Sequence, residues 1–235
     1  MKNPIYEPKG AAREYGELAL NIYTGCPHRC PYCYVPQVRH CEREAFHSHV
    51  EPRPGIVEAV REQLERTGMT GKTVHLCFTC DPFPWGHDCT PTLDIIRLLK
   101  EHGNHVQILT KGDGTPCLDL LDENDWYGVT VDGGHGNPPQ YCIPYRAADL
   151  ANAKKRRIKT WVSCEPVLYP DGVLYFLRRY GVYVDRVAIG KLNYHQPPEP
   201  IDWGAFGREV EELCQRIGMD YYIKSSLRKE MERHG

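Results

Sequence analysis

No stretch of this sequence is long and apolar enough to cross a membrane, and its first residues, MKNPIYEPKGAAREYGE, lack the apolar centre of a signal peptide. Internal repeats and low-complexity segments are also absent. The formal net charge is only −2, so a nucleic-acid partner would need a local basic patch rather than a field over the whole chain. We therefore expect a cytoplasmic globular protein without a membrane partner.

The even set of cysteines that a disulfide scaffold requires is missing as well. The chain has eleven cysteines, an odd number, and no secretion signal accompanies them. Clustered cysteines in a reducing compartment more often bind metal or take part in chemistry. Three of them, Cys26, Cys30 and Cys33, lie close together in the sequence. The others are scattered, and each is expected to be a small buried hydrophobic residue: Cys41, Cys77, Cys80, Cys89, Cys117, Cys142, Cys164 and Cys214.

Short apolar runs rich in β-branched residues alternate with amphipathic stretches along the chain. We predict strands over residues 17–25, 73–79, 105–110, 126–132, 159–167 and 184–193, with a further candidate at 220–226. Helices are predicted over residues 54–68, 90–103, 116–124, 147–157, 172–181 and 202–218. This alternation is typical of parallel strands with right-handed helical crossovers. Because 235 residues hold too few units for a full eight-unit barrel, we predict an α/β fold, a partial (β/α)6 TIM-like barrel with parallel strands.

The predicted barrel also sets the expected division of the chain. Residues 1–15 form an N-terminal extension, residues 16–193 the barrel core, and residues 194–235 a C-terminal helix, strand and charged tail that close the barrel. Segments that follow the strands are rich in Cys, Asp, Glu, Lys, His and Gly. Since functional residues of such sheets gather at the carboxyl ends of the strands, we expect the site there.

The loop after the first predicted strand, TGCPHRCPYCY, carries the most informative motif. Its cysteines have C-x3-C-x2-C spacing, and thiolates select zinc, copper(I) or iron–sulfur clusters. A structural zinc site takes four protein ligands, usually from two C-x2-C pairs, and no second pair lies nearby at suitable spacing. Three thiolates can instead hold three irons of a [4Fe–4S] cluster and leave the fourth iron open to a small ligand. The motif indicates a metal centre and favours the cluster over zinc.

With Tyr32 at the aromatic position before its third cysteine, this loop resembles that of the radical S-adenosylmethionine (SAM) superfamily. The resemblance implies a [4Fe–4S] cluster on Cys26, Cys30 and Cys33 whose open iron binds SAM. It also implies an electron donor, such as flavodoxin or ferredoxin, that drives the cleavage of SAM. The resulting 5′-deoxyadenosyl radical would abstract hydrogen from a substrate, so we expect an enzyme.

Three further motifs resemble the spore photoproduct lyase-like branch of that superfamily. They are CFTCDPF after the second predicted strand, LTKGD after the third and VSCEPV on the fifth, in this order. The resemblance covers roughly residues 16–193 and implies a nucleobase, nucleotide or nucleic-acid substrate. Modification of a peptide or a small metabolite is the alternative within the enzyme interpretation. A more distant alternative is a zinc-binding module with a nucleic-acid partner and no catalysis.

By position, the resemblance also assigns cofactor-binding roles to residues at the strand ends. Thr79, Cys80 and Asp81 are expected at the SAM amino group, although the usual Gly-Gly-Glu is absent there. The expected further contacts are Tyr32 in the cluster loop, Lys111 at the SAM carboxylate, Thr130 and Asp132 at the ribose, Glu165 as a ligand or network carboxylate, and Lys191 and Asn193 near the adenine. Three of these assignments have a structural alternative: an Asp-Pro turn for Thr79, Cys80 and Asp81, a solvated lysine for Lys111, and a Gly-rich turn for Thr130 and Asp132.

Cys77 and Cys80 are candidate catalytic thiols. The lyase branch uses a cysteine of this region as a hydrogen-atom donor, although neither residue falls in the register that the resemblance implies. A thiol remains suitable, because its S–H bond is weak enough to quench a carbon radical. A second cluster on Cys77, Cys80 and Cys89 is the alternative. The basic run AKKRR at 153–157 is expected to be a solvated helix face rather than a phosphate-binding patch.

Overall fold

Seven strands form one sheet in chain order in the computed structural model, which describes residues 3–134 and 143–233. The strands are β1 Leu18–Leu20, β2 Thr73–Leu76, β3 His105–Thr110, β4 Trp126–Thr130, β5 Lys159–Cys164, β6 Arg186–Ile189 and β7 Asp220–Ile223. The registers of β1 with β2, β2 with β3, β5 with β6 and β6 with β7 are all parallel. The predicted α/β fold is therefore confirmed, and the candidate strand at 220–226 forms.

Eight α-helices lie between and after the strands in the described part of the chain. They are α1 Val35–Val38, α2 Arg43–Ser48, α3 Ile56–Thr67, α4 Thr90–Glu101, α5 Ile143–Lys155, α6 Pro170–Tyr180, α7 Trp203–Ile217 and α8 Ser225–Arg233. None of the described helices combines the length and the apolar character needed to span a bilayer. Each of the strands β2 to β6 is therefore followed by helical structure before the next strand.

Several helical segments differ from the sequence prediction. The segment predicted as a charged tail contains α8, whose buried residues are only Leu227 and Met231. Two apolar residues one turn apart in a charged sequence give too weak a periodic signal to mark a helix. The short helices α1 and α2 were not expected either, and the predicted helix at 116–124 is a 3-10 helix, Thr115–Leu120.

The scattered cysteines mostly follow the expectation of burial. Cys77, Cys117, Cys164 and Cys214 are buried, and Cys80 and Cys89 are partly buried. Cys41 is exposed, against expectation, because it lies in the short polar link between α1 and α2. Cys142 lies outside the described residues.

The chain divides into two compact units. The first contains the described residues up to Tyr127 together with Arg156–Ile158. Its core lies among β1, β2, β3, α3 and α4. Ile56, Val60 and Leu64 are spaced four residues apart and form the buried face of α3, which is the spacing of an amphipathic helix. Strand and α4 side chains complete this core: Leu20, Leu76, Ile95, Leu99 and Ile108.

The second unit contains Gly128–Lys155 and the described residues from Lys159 onwards. Its buried strand residues include Val162 of β5 and Val187 and Ile189 of β6. The helices α6, α7 and α8 follow β5, β6 and β7 in turn along the chain. Asp202 is the N-cap residue of α7, and its carboxylate accepts a hydrogen bond from the Ala205 amide at 2.8 Å. The fold therefore supplies each unit with its own apolar core.

A buried ion pair fixes the start of β4 in the first unit. The Lys100 ammonium lies 2.6 Å from a carboxylate oxygen of Asp122 and 2.6 Å from one of Asp125. The Asp125 side chain is fully buried, and its other oxygen accepts a hydrogen bond from the Val106 amide at 2.8 Å. Removal of the Asp125 side chain would leave Lys100 paired with Asp122 but would deprive the backbone amides of Val106 and Asp122 of their acceptor.

We expect Asp125→Ala to lower the free energy of unfolding by about 1–3 kcal/mol, the cost of leaving buried backbone donors without an acceptor. Urea denaturation followed by circular dichroism measures this. The matched control is Asp119→Ala, which removes an exposed partner of Arg156 and should leave the urea midpoint unchanged. Equal midpoints for the two variants would contradict the structural role of Asp125.

Candidate metal centre and cofactor site

The loop that follows β1 carries the three clustered cysteines and is pressed against α2. A Cβ atom on Gly25 would lie 2.3 Å from the Phe46 carbonyl oxygen and 2.4 Å from that of His49. Only glycine allows this approach of two backbones. Cys26, Cys30 and Cys33 follow as free, partly buried thiols, and the Cys33 amide donates to the Cys30 carbonyl at 3.0 Å. The structure therefore places all three predicted metal ligands on one tightly packed loop.

The sulfur atoms of these cysteines do not all lie within 4.8 Å of one another. Thiolates around one tetrahedral zinc ion lie about 3.8 Å apart, given zinc–sulfur bonds of about 2.3 Å. Within the described residues, one group of three potential ligands has its donor atoms within 4.8 Å of one another, and it is His105, Asp122 and Asp125. At least two of the loop sulfurs are thus farther apart than that. In the metal-free structure, the three thiols are therefore not gathered as they would be around one bound ion.

Burial keeps two of these thiols protonated in the absence of metal. It raises the pKa of Cys26, and the nearby carboxylate of Asp81 raises it further. Burial also raises the pKa of Cys33. Because a metal binds the thiolate, loading this loop must release protons. At neutral pH these two thiols are therefore poor nucleophiles unless a metal ion displaces their protons.

The carboxylate of Asp81 joins the turn after β2 to the end of β3. One oxygen accepts hydrogen bonds from the Phe83 amide at 2.9 Å and the Thr110 hydroxyl at 2.5 Å. The other accepts from the Lys111 amide at 2.8 Å and lies 3.6 Å from Nε2 of His28 in the cluster loop. Asp81 is buried and thereby positions three segments of the first unit. Its expected contact with SAM stays a prediction.

Two other expected cofactor residues are brought together by this arrangement. The Lys111 ammonium lies 5.4 Å from the centre of the Tyr32 ring, within range of a cation–π interaction. Thr79 lies in the turn after β2, where its amide donates to the Asn21 side chain at 2.8 Å. The Thr79 hydroxyl is buried and has no hydrogen-bond partner among the described residues. A buried hydroxyl without a partner is costly, so this position suits a bound polar ligand.

Cys77 and Cys80 lie in contact in the first unit. The Cys77 thiol donates a hydrogen bond to the Cys80 sulfur, which also accepts from the Tyr23 amide at 3.4 Å. Burial raises the pKa of Cys77 well above the usual value, so this residue is a neutral thiol at neutral pH. Two sulfurs in hydrogen-bond contact would have to separate to bind different irons, which disfavours the second-cluster alternative.

In the second unit, Asp132 lies in a turn after β4. Its carbonyl oxygen accepts from the amides of Leu168 at 2.8 Å and Tyr169 at 3.1 Å, and its carboxylate accepts from the Gly134 amide at 3.0 Å. Thr130, at the end of β4, is buried. These contacts order the turn itself, and the expected ribose contacts of both residues stay predictions.

Glu165, after β5, forms an ion pair with Lys224, which follows β7. Lys224 is buried, and a Cβ atom on Gly190 would lie 2.8 Å from the Glu165 carboxylate, so only glycine leaves room for that group. The network role expected for Glu165 therefore has a partner. Sequence reasoning missed Lys224, although its place within the candidate strand at 220–226 was a usable signal.

The other two expected residues of the second unit are also held by protein groups. Lys191 forms an ion pair with Glu230 of α8, and the side-chain amide of Asn193 donates to the Lys191 carbonyl at 3.1 Å. Glu230 was missed because α8 was expected to be a tail. Proximity of Lys191 and Asn193 to an adenine stays a prediction.

The chain matches a family model and several solved structures. The model described as the radical SAM superfamily matches residues 20–143. No curated protein matches the chain. A spore photoproduct lyase variant with bound AdoMet and dinucleoside spore photoproduct has a TM-score of 0.66 at 10% identity, and the match covers 92% of this chain and 78% of that one. SuiB of Streptococcus suis, bound to S-adenosylmethionine, has a TM-score of 0.63 at 11% identity, over 88% of this chain and 50% of that one. At these identities the solved structures show a shared fold.

We expect Asp81→Asn to destabilise the first unit by about 1–3 kcal/mol, the cost of leaving buried groups unpaired. The new amide nitrogen would face the Lys111 amide, so two donors would meet where a donor and an acceptor now do. Urea denaturation measures the loss. The control is Asp113→Asn, an exposed neighbour that keeps its acceptor oxygen toward Thr115. Unchanged stability of Asp81→Asn would show that the carboxylate does not hold these segments.

Proposed function

This chain belongs to the radical SAM superfamily, and we propose that it is an enzyme that binds a [4Fe–4S] cluster through Cys26, Cys30 and Cys33. When bound, the cluster and SAM together supply a 5′-deoxyadenosyl radical that abstracts hydrogen from the substrate. The carrying observation is the loop of three partly buried thiols in C-x3-C-x2-C spacing, which lies within the residues that the radical SAM model matches. Three thiolate ligands suit a cluster that keeps one iron for SAM.

The residues of the first unit would bind and orient SAM. The unpartnered Thr79 hydroxyl and the neighbouring Cys80 would meet its amino group, and the Lys111 ammonium beside Tyr32 would meet its carboxylate. Asp81 would position these residues rather than contact SAM itself, because both of its oxygens already accept hydrogen bonds from nearby backbone and hydroxyl groups. This division gives each predicted residue either a ligand contact or a positioning task.

We propose that strand-end residues of the second unit contribute further to the nucleoside: Thr130 and Asp132 toward the ribose, and Lys191 and Asn193 toward the adenine. Glu165 would keep its negative charge beside Lys224 and offer its remaining acceptor capacity to a hydroxyl group. The catalytic core would then span residues 16–193, with 194–235 as the closing segment that supplies Lys224 and Glu230.

We propose a nucleobase or nucleotide as the substrate, supported by the shared fold with a lyase variant that holds a dinucleoside photoproduct. The basic run at 153–157 adds no support, since Lys154 pairs with Asp185 and Arg156 with Asp119. A small electron-transfer protein of the flavodoxin or ferredoxin type would supply the electron. These proposals share one requirement, reductive cleavage of SAM.

We expect the wild-type protein to take up iron rather than zinc on anaerobic reconstitution and, with dithionite and SAM, to release 5′-deoxyadenosine. Cys30→Ala should lose both properties, because two thiolates do not hold the cluster. Metal analysis and chromatography with mass spectrometry measure the outcomes. Cys41→Ala, an exposed cysteine outside the loop, should retain both. Full iron content without 5′-deoxyadenosine would refute the proposed reaction.

We expect Cys77 or Cys80 to donate the hydrogen atom that completes the product. Thiols exchange with solvent, so the product formed in D2O should carry deuterium when a thiol is the donor. With a candidate substrate that yields product, Cys77→Ala or Cys80→Ala should lower product yield and deuterium content at least severalfold, whereas Cys41→Ala should not. Full yield from both variants would exclude both residues as donors.

A further inference from the structure

The α2 helix holds the backbone of all three cysteines in the cluster loop. Nδ1 of His47 lies 2.7 Å from the carbonyl oxygen of Cys26. The Arg43 guanidinium donates to the Cys33 carbonyl at 3.2 Å and to the Cys30 carbonyl through its other terminal nitrogen. Two side chains of one short helix therefore reach every cysteine of the C-x3-C-x2-C motif.

These two side chains lie four residues apart, so they project from the same face of α2. A carbonyl oxygen can only accept, so Nδ1 of His47 carries the proton in this contact. His47 is buried, which fixes the ring against the loop. The Cys26 amide also donates to the Phe46 carbonyl at 3.3 Å, so α2 binds both backbone groups of the first cysteine.

The arginine contact has the character of a clamp. Besides the two cysteine carbonyls, the Arg43 guanidinium reaches the Pro31 carbonyl at 3.3 Å. A planar guanidinium with five donors can bridge several carbonyls, and it stays charged at every physiological pH. A lysine at this position would keep the positive charge but would lose the planar group whose donors bridge several carbonyls.

We propose that Arg43 and His47 are positioning residues that hold the loop in its cluster-binding shape and that Arg43 also favours the reduced cluster. The proposal rests on the proposed function, since it takes the cluster as the occupant of the loop. Outer-shell hydrogen bonds orient metal ligands, and the charge and hydrogen bonds around an iron–sulfur cluster set its potential. An added electron is stabilised by a fixed positive charge nearby.

A second arginine provides a matched comparison. Arg29 lies inside the cluster loop, yet its guanidinium contacts Glu44, at 2.5 and 2.6 Å, and Ser48. Its charge is therefore paired, and these contacts include no cysteine carbonyl. His49 is the matched comparison for His47, because its Nδ1 contacts the carbonyl oxygen of Ala45 in α2, at 3.2 Å, and not a cysteine carbonyl. Arg29→Gln and His49→Gln thus remove similar groups from the same region without touching the cysteines.

The first experiment measures the loss of iron from the reconstituted full chain to a chelator, followed by the visible absorbance of the cluster. We expect Arg43→Gln and His47→Leu to lose the cluster about tenfold faster than the wild type, as is usual for outer-shell partners. His47→Asn keeps a donor near the Nδ1 position and should restore most of the retention. Arg29→Gln, which removes a contact with α2 side chains but none with a cysteine carbonyl, should retain the cluster clearly better than Arg43→Gln, and His49→Gln should retain it better than His47→Leu.

The second experiment is a redox titration of the cluster followed by electron paramagnetic resonance. At a potential where half of the wild-type cluster is reduced, Arg43→Gln should show a clearly smaller reduced fraction. Arg43→Lys should match the wild type in this fraction but lose iron faster, because it keeps the charge without the planar group. A purely structural role would not separate these two readouts.

Wild-type retention and potential in Arg43→Gln, or equal shifts in Arg43→Gln and Arg29→Gln, would overturn the proposal. If Arg43→Gln does not fold, as judged by circular dichroism, the opposed readouts of Arg43→Lys decide the matter in its place. A wild-type protein that binds no iron would instead refute the proposed function itself. The two failures are therefore distinguishable.

Discussion

One buried carboxylate, that of Asp81, ties together the segments of the first unit on which the site depends. It accepts hydrogen bonds from the turn after β2 and from both the side chain and the backbone at the end of β3, and it lies next to His28 of the cluster loop. Burial of a carboxylate is unfavourable unless donors surround it, and here the donors come from separate parts of the chain. The energetic need of one side chain therefore sets the relative places of the cluster loop, Thr79 and Lys111.

The hydrogen bonds and ion pairs also distinguish groups that organise the candidate site from groups that remain available to a ligand. Backbone carbonyls of the cysteines are satisfied by α2, while their thiols remain free. In the second unit, Glu165 is charge-paired with Lys224 inside its own strand-end network. The Thr79 hydroxyl, in contrast, is buried without a hydrogen-bond partner among the described residues, which is why we propose it as a ligand contact.

Sequence reasoning predicted the alternation of strands and helices and the cysteine loop, since both are encoded locally, by periodicity and by spacing. It also selected Lys111 and Tyr32 separately, and the structure brings them within 5.4 Å. The partners of Glu165 and Lys191 could not be read from the sequence, because Lys224 and Glu230 lie far along the chain in a segment with weak apolar periodicity. Arg43 and His47 were missed for a different reason. They act on backbone carbonyls through a helix of six residues, and no residue pattern records such contacts.

The order of the strands in the sheet has a consequence for synthesis of the protein. Each strand neighbours its predecessor in the chain, so it can pair as soon as the crossover that joins the two strands has been made. Contacts that are local in sequence form fastest, and domains assemble from the N-terminus as the chain leaves the ribosome. The cysteine loop and α2 lie within residues 25–48, near the beginning of this order. The backbone contacts between the cysteine loop and α2 can therefore form before the strands that follow β3 have been made.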